Sequence, residues 1–438
     1  MQIKRKTFLQ VGSLATASLM LPKFLKAFEA KAMVPAGNKV VVVLQLSGGN
    51  DGLNTVIPVR NDLYYKARPR LAIEASKSLM LDDETGLHPA LDVFKELYDD
   101  GNLGIMNSVG YPNPDRSHFR SMDIWQTASQ SSEYLTSGWL GRYLDAQCSG
   151  CEKPTQAIEI DDVLSLSMKG KKINGIAVRD PKRLYGTANE KFFRDVLKNH
   201  RQEAAETPVD YLYKTMAQTL SSADYIFKQS RLHPTGADYP KTKLGNSLKT
   251  IASLIYSEIN TKVYYVSLGS FDTHINQGAQ QQRLFTEMNE ATKAFVKDLK
   301  ANNRFDDVLL FTFSEFGRRV SQNASGGTDH GTANNMFFVS GGLKQKGVLN
   351  AMPDLVDLQD GDLKHKVDFK NVYATILNNW LQADATAILG KKYELMRDRY
   401  NTITGKMKSL ESQMATLEKR DNEVYRSIFE ANPVPDSA

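Results

Sequence analysis

The chain has 438 residues, 41% hydrophobic and 24% charged. This globular composition excludes a disordered or collagen-like chain and is long enough for one large α/β domain or two smaller ones. A formal charge of +5 raises the question of a polyanionic partner, but in residues 1–32 Lys4, Arg5, Lys6, Lys23, Lys26 and Lys31 face only Glu29. Beyond that stretch the chain's 55 basic and 50 acidic residues fall to 49 of each. The excess is therefore N-terminal, and nucleic-acid binding has no support.

The N-terminus runs Lys4-Arg5-Lys6-Thr7-Phe8-Leu9-Gln10, then an apolar stretch from Val11 to Leu21, then Ala30-x-Ala32. This is the order of an export signal, expected at residues 1–32. It resembles a twin-arginine signal with Lys6 at the second arginine position. The apolar stretch is about 11 residues and is followed by Pro22, whereas a bilayer crossing needs about 20. A removed signal leaves no stable membrane span and a periplasmic or otherwise exported protein; an uncleaved anchor is the other reading. Cys148 and Cys151, the only cysteines, read as a local disulfide staple or as free thiols.

The β-branched run 39–46 predicts a buried strand that ends at Ser47-Gly48-Gly49-Asn50-Asp51-Gly52. A helical pattern through Leu91, Phe94, Leu97 and Tyr98 comes next, then a strand from Leu103 to Met106. A turn at Pro112–Asp115 delivers Ser117 to the start of a helix reaching about Ala128. Residues 150–245 read as an irregular, polar insertion. Val263–Leu268 is the next strand, ending at Asp272-Thr273-His274, and Gln280–Lys300 carries a helical stripe of Leu284, Met288, Thr292 and Phe295. Val308–Phe313 ends at Ser314-Glu315-Phe316-Gly317, and Met336–Val339 comes after Gly327-Thr328-Asp329-His330-Gly331. Strands alternating with helices predict an α/β fold, a doubly wound and mostly parallel sheet with helices on both faces, over residues 33–399. In the 400–438 tail, Met407, Leu410, Met414, Leu417 and Val424 mark an amphipathic helix that either packs on the body or joins a partner or second copy.

Ligands of such sheets bind beyond the carboxyl ends of the strands. There the chain places Asp51, Asp272, His274, Glu315, Asp329 and His330, and only seven histidines occur in all. A mixture of carboxylate and imidazole suits one or two divalent ions, Zn²⁺ or Mn²⁺ rather than Mg²⁺ or Ca²⁺. Two such ions could clamp the attacking and leaving oxygens of an in-line displacement. Ser117, at a helix start, is the candidate nucleophile or else a plain N-cap, and His118 is a ligand or a general acid. No Gly-x-Ser-x-Gly elbow, phosphate loop or dinucleotide fingerprint is present.

Gln45-Leu46-Ser47-Gly48-Gly49-Asn50-Asp51-Gly52, Asp115-Arg116-Ser117-His118-Phe119, Phe271-Asp272-Thr273-His274, Phe313-Ser314-Glu315-Phe316-Gly317-Arg318 and Gly326-Gly327-Thr328-Asp329-His330-Gly331 occur in that order. Together with the leader they resemble a family of exported bacterial proteins of unknown function related to the sulfatase and alkaline-phosphatase superfamily. The resemblance implies an alkaline-phosphatase-like fold and a metal-dependent hydrolase of phosphate or sulfate esters, acting on a small-molecule or envelope ester. It gives Asp272, His274 and His330 as ligands of a first metal, Asp51 and Glu315 as those of a second, and Ser117 as nucleophile. Phe316 departs from the pattern: it stands where relatives have a ligating histidine, and a Cys-x-Pro-x-Arg sulfatase signature is absent. The alternative it raises is an inactive relative that binds or assembles envelope components.

Overall fold

The computed structural model describes residues 39–147, 155–192, 195, 219–220, 222–231, 234–257, 259–390, 409 and 413. The leader, Cys148 and Cys151, and all but two residues of the amphipathic tail lie outside the described residues. Among the described residues the first element begins at Val40.

Its centre is a nine-stranded sheet made of β1 (Val40–Leu46), β2 (Leu103–Gly110), β3 (Ala157–Glu159), β4 (Ile176–Ala177), β5 (Val263–Leu268), β6 (Val308–Phe313), β7 (Asn334–Val339), β8 (Gly347–Val348) and β9 (Val367–Asp368). The order is β8-β2-β7-β6-β1-β5-β3-β4, with β9 also paired to β2. Every pairing is parallel except those of β7, which runs antiparallel to β2 and to β6. The expected α/β fold with a mostly parallel sheet is borne out.

β1 shows why both faces are covered. Val40, Val42, Leu44 and Leu46 enter one hydrophobic core, while Val41 and Val43 enter another, because successive strand side chains point to opposite faces. The first core is closed by α1 (Asp92–Asp99), α4 (Lys243–Tyr256) and α5 (Gln277–Ala301). The second is closed by α2 (His118–Thr127), α3 (Trp139–Gln147) and α6 (Phe369–Thr375). With apolar partners on both sides, β1 has no polar face to alternate, which explains its continuous valine run. Along α5, Leu284, Phe285, Met288, Ala291, Thr292, Phe295 and Leu299 are buried, the three-and-four spacing of a helix laid on a sheet.

The chain leaves β1 toward β2 on one side, crosses to β3, β4 and β5 on the other, and returns through β6 and β7. β1 therefore lies between β5 and β6 at a reversal of strand order, where a crevice opens at the carboxyl edge. The antiparallel course of β7 puts the loop before it, rather than after it, at that same edge. No helix among the described residues is long and apolar enough to cross a membrane.

The region 155–180, read from sequence as irregular, contributes β3 and β4, which extend the sheet beyond β5. At the end of β3, Glu159 is buried and accepts the Ser165 N–H at 2.7 Å. Burial pushes its carboxyl up to about 7 from an ordinary 4.5. The folded state thus favours the protonated form: its advantage is complete below about pH 4.5 and is lost as the pH rises through 7. The gap corresponds to a penalty on the order of 3 kcal/mol above both values. Glu159→Gln is expected to raise the urea midpoint at pH 8 and leave it nearly unchanged at pH 4.5.

Candidate metal centre

Five loops meet at the carboxyl edge: 47–52 after β1, 111–117 after β2, 269–276 after β5, 314–318 after β6, and 329–333 before β7. Gly48 and Gly49 let the first of these turn tightly against the others, with φ of +118° and +80°. A Cβ on Gly48 would lie 2.5 Å from the Asp272 backbone nitrogen, and one on Gly49 would lie 2.3 Å from the Phe316 ring, so no larger residue fits either position.

Arg318 binds the loops together. Its side chain is buried, with Nε donating to the Gly49 carbonyl at 2.6 Å and Nη1 to Thr328 O at 2.9 Å. Its Nη2 donates to Gly48 O, to Phe271 O at 2.9 Å and to Asp272 Oδ1 at 2.7 Å. Burial alone would raise the Asp272 carboxyl, but the bond and charge of Arg318, followed by the neighbouring imidazoles, bring it below the usual carboxylate range.

Three histidines face this carboxylate. His274 Nε2 lies 3.0 Å from Asp272 Oδ1 and 3.0 Å from His330 Nε2. His330 Nε2 lies 3.3 Å from Asp272 Oδ1, and His118 Nε2 lies 3.6 Å from Oδ2. On each ring the other nitrogen is tied outward: His118 Nδ1 to Glu315 Oε1 at 2.9 Å, His274 Nδ1 to Asp329 Oδ1 at 3.2 Å, and His330 Nδ1 to the Arg116 carbonyl at 2.8 Å. The bond to Glu315 is the main reason that the His118 imidazolium is favoured above its ordinary range. With Nδ1–H as donor on every ring, three Nε2 lone pairs are turned toward one carboxylate. That arrangement makes the cluster a candidate metal centre.

The dimensions suit a metal ion. Tetrahedral coordination at about 2.0–2.1 Å puts ligands roughly 3.3 Å apart, close to the separations found. Donor atoms of His118, Asp272 and His330 all fall within 4.8 Å of one another. His118 Nε2 is buried and has no hydrogen-bond partner among the described residues, which gives the donor set an orphaned atom aimed inward. Two imidazoles and one carboxylate, with His274 Nε2 alongside at 3.0 Å from both Asp272 Oδ1 and His330 Nε2, match Zn²⁺ or Mn²⁺ better than an all-oxygen cation.

The other expected residues take different places. Glu315 is buried behind His118 and also accepts the Gly48 N–H at 2.8 Å. Asp329 stands behind His274, where an Asn323 bond and the imidazole lower its carboxyl. Both orient histidines instead of facing the centre. Asp51 is turned away altogether: it caps the short helix Gly52–Thr55 through the Leu53 N–H and is held by a buried ion pair with Arg68 and a bond from Gln277. Ser117 is exposed at the N-cap of α2, and its hydroxyl makes no capping bond. It lies between Arg116, whose carbonyl holds His330, and His118. Phe316 packs its ring 4.9 Å from that of His118 and 4.7 Å from that of His330, which leaves the edge with a single donor cluster among the described residues.

Residues 100–401, more than half of the chain, match the family model described as "Protein of unknown function (DUF1501)". The chain belongs to the DUF1501 family. This bears out the family resemblance carried by the strand-end motifs. No curated protein matches the sequence. Among solved structures, the chain is similar to the lipoteichoic acid synthase LtaP from Listeria monocytogenes, at 11% identity and a TM-score of 0.33, over 75% of this chain and 74% of that one. It is also similar to the phosphonate monoester hydrolase SpPMH from Silicibacter pomeroyi, at 8% and 0.36 over 81% and 77%. A third is the alkaline phosphatase from the Antarctic bacterium TAB5, at 10% and 0.32 over 69% and 92%.

In this DUF1501 chain, sequence reasoning passed over Arg318 and Arg68 as site builders. Their signal was slight: a basic residue directly after Gly317, and one just past a helical stretch.

Two substitutions separate the roles. Glu315→Gln should weaken Zn²⁺ binding by about 10- to 100-fold in a chelator competition, because His118 loses its orienting carboxylate. Arg68→Ala strands a buried Asp51 and should cost about 3–5 kcal/mol in urea unfolding, with the Zn²⁺ affinity of the folded protein unchanged.

Proposed function

We propose that this chain is an exported, metal-dependent hydrolase of phosphate or sulfate esters. The observation that carries the reading is the convergence of His118, His274 and His330 Nε2 on the Asp272 carboxylate, each ring held from behind. With His274 beside them as a further donor, His118, Asp272 and His330 would hold one divalent ion. When bound, it supplies Lewis-acid polarisation of an ester oxygen and neutralises developing charge. Three neutral imidazoles and a single carboxylate leave the centre net positive, which favours an anionic ester over a neutral one.

The protein's own groups have distinct tasks. Arg318 keeps Asp272 ionised and in place, so the carboxylate stands ready as a donor instead of taking up a proton. Glu315, itself held by the Gly48 N–H, fixes the His118 ring, and the Arg116 carbonyl fixes that of His330. Ser117 is the proposed nucleophile: its hydroxyl is exposed, uncommitted to capping, and one residue from His118, at the positive end of α2. The leader at residues 1–32 supports export, most simply by the twin-arginine route, and with it a substrate of the cell envelope.

Metal analysis and ester screens on the purified chain test this. His330→Ala and Asp272→Asn are expected to lower bound Zn²⁺ below about a tenth of the wild-type stoichiometry, since each removes one of four donors. Ser117→Ala should retain the ion and lose about 10³-fold or more in kcat on aryl phosphate or aryl sulfate esters. Wild-type protein that takes up no divalent ion would overturn the reading. Protein that binds the ion but cleaves no ester would support a binding role in the envelope, for which Phe316 in place of a ligand is the motivating residue.

A further inference from the structure

We propose that the cavity walled by Phe316 is a second subsite of the same centre, and that it takes an additional anionic group of the substrate on Arg116. The inference rests on the ester-hydrolase reading above and adds a substrate class to it: esters carrying a second negative charge close to the one that is cleaved.

The cavity has a volume of about 220 Å³ and lies between the loop after β2, the residues before β7, and the turn around Gln359–His365. This is below the roughly 300–1,000 Å³ of pockets for drug-sized ligands, and so fits a compact group such as a carboxylate on a small ring. Phe316 is the shared wall. Its ring packs against His118 and His330 and also lines the cavity. Phe316 and Arg116 are thus the residues that touch both the histidine cluster and the cavity.

Arg116 belongs to both compartments. Its carbonyl accepts the His330 Nδ1–H at 2.8 Å, while its side chain lines the cavity. One guanidinium nitrogen, Nη2, donates to Asp362, whose carboxyl is fully buried and also receives Arg319 Nε at 3.2 Å. Two guanidinium groups share the Asp362 carboxylate, so it does not saturate either of them, and what Arg116 brings to the cavity is directed donors rather than an excess of charge. Its remaining nitrogens meet no partner among the described residues, and its side chain is 45% exposed. A guanidinium tethered at one end with free donors at the other is set to grip an oxyanion in a fixed geometry. Lys364 also lines the cavity but is paired to Asp357, and Asp360 on the lip is an opposing carboxylate.

The larger cavity, about 620 Å³, does not compete for this role. It is lined by Tyr256, Asp298 and Arg304 near the amino end of β6, and Asp298 already accepts from Thr235 Oγ1 at 2.7 Å and the Tyr239 hydroxyl at 2.8 Å.

The test is calorimetry on the full chain, with Zn²⁺ stoichiometry measured first and two probes that carry no cleavable ester and differ by one charge: phenylphosphonate and 4-carboxyphenylphosphonate. Wild-type protein is expected to bind the carboxylated probe about tenfold more tightly, the scale of one charge-assisted contact of roughly 1.4 kcal/mol. Arg116→Gln should abolish that preference and Arg116→Lys should retain part of it, with Zn²⁺ content unchanged in both. A loss of folding alone would not separate the two probes. Equal binding of both probes by the zinc-loaded wild type, or a preference that survives in Arg116→Gln, overturns the subsite and leaves the ester-hydrolase reading standing. A wild type without Zn²⁺ overturns both.

Discussion

Arg318 has no access to water, so each of its donors must find an acceptor within the protein, and it finds them on separate loops. The carbonyls of Gly48 and Gly49 lie after β1, Phe271 O and the Asp272 carboxylate lie after β5, and Thr328 O precedes β7. A buried guanidinium left short of these partners would carry a penalty of several kcal/mol. The penalty works in favour of order: any displacement of one loop exposes an unmet charge, so all are held in register with the strand ends that carry them. The glycines at 48 and 49 are a consequence, since only residues without a Cβ let two carbonyls turn toward one guanidinium while the chain passes against Asp272 and Phe316.

The order imposed by Arg318 reaches the histidines through Asp272. A single carboxylate accepts from the arginine and also stands 3.0–3.6 Å from three imidazoles. Those rings do not depend on it for orientation, because each is held from behind by Glu315, Asp329 or the Arg116 carbonyl. Inner and outer contacts are thus independent, which is the condition for a donor set that is in place before any ion arrives. The outer contacts are themselves graded. Glu315 is buried and doubly bound, whereas Asp329 is exposed, so the His118 side of the cluster is the more rigid one.

Much of the scaffold was legible because it rests on local pattern. Val263–Leu268 and Val308–Phe313 coincide with their expected limits, since each is a short apolar run bounded by polar turns. The long helix extends three residues earlier than its apolar stripe suggested, because Gln277 is buried for its bonds to Asp51 and Thr328 and not for apolar packing. β3 and β4 escaped notice because strands of two or three residues carry no periodicity to read. The reversed course of β7 was equally hidden, as strand direction is set by tertiary pairing and leaves no mark in six residues. Within the site, the sequence placed the chemical types at the correct edge but could not rank them. Aspartate and glutamate at strand ends look alike whether they face a centre, as Asp272 does, support a histidine, as Glu315 and Asp329 do, or balance a buried arginine, as Asp51 does. That distinction depends on which residue stands behind which, and Arg68 lies 17 residues from Asp51 in the chain.

Phe316 shows how such a neighbourhood changes character through one side chain. From sequence it reads only as a missing ligand. In the fold it is a buried apolar ring set against the faces of two imidazoles, and an apolar wall at that point has two physical effects. It excludes water from one side of the histidine pair, which strengthens every charge interaction there by lowering the local dielectric. It also separates the cluster from the neighbouring cavity without a charge of its own, so the cationic group that joins the two compartments is Arg116, whose carbonyl serves one and whose guanidinium serves the other. A histidine at 316 would compete with His118 and His330 for the same cation and replace that wall with a donor. The aromatic residue therefore favours a single centre with an adjoining pocket over a pair of centres, and the resulting substrate preference is decided by the tether between Arg116 and Asp362.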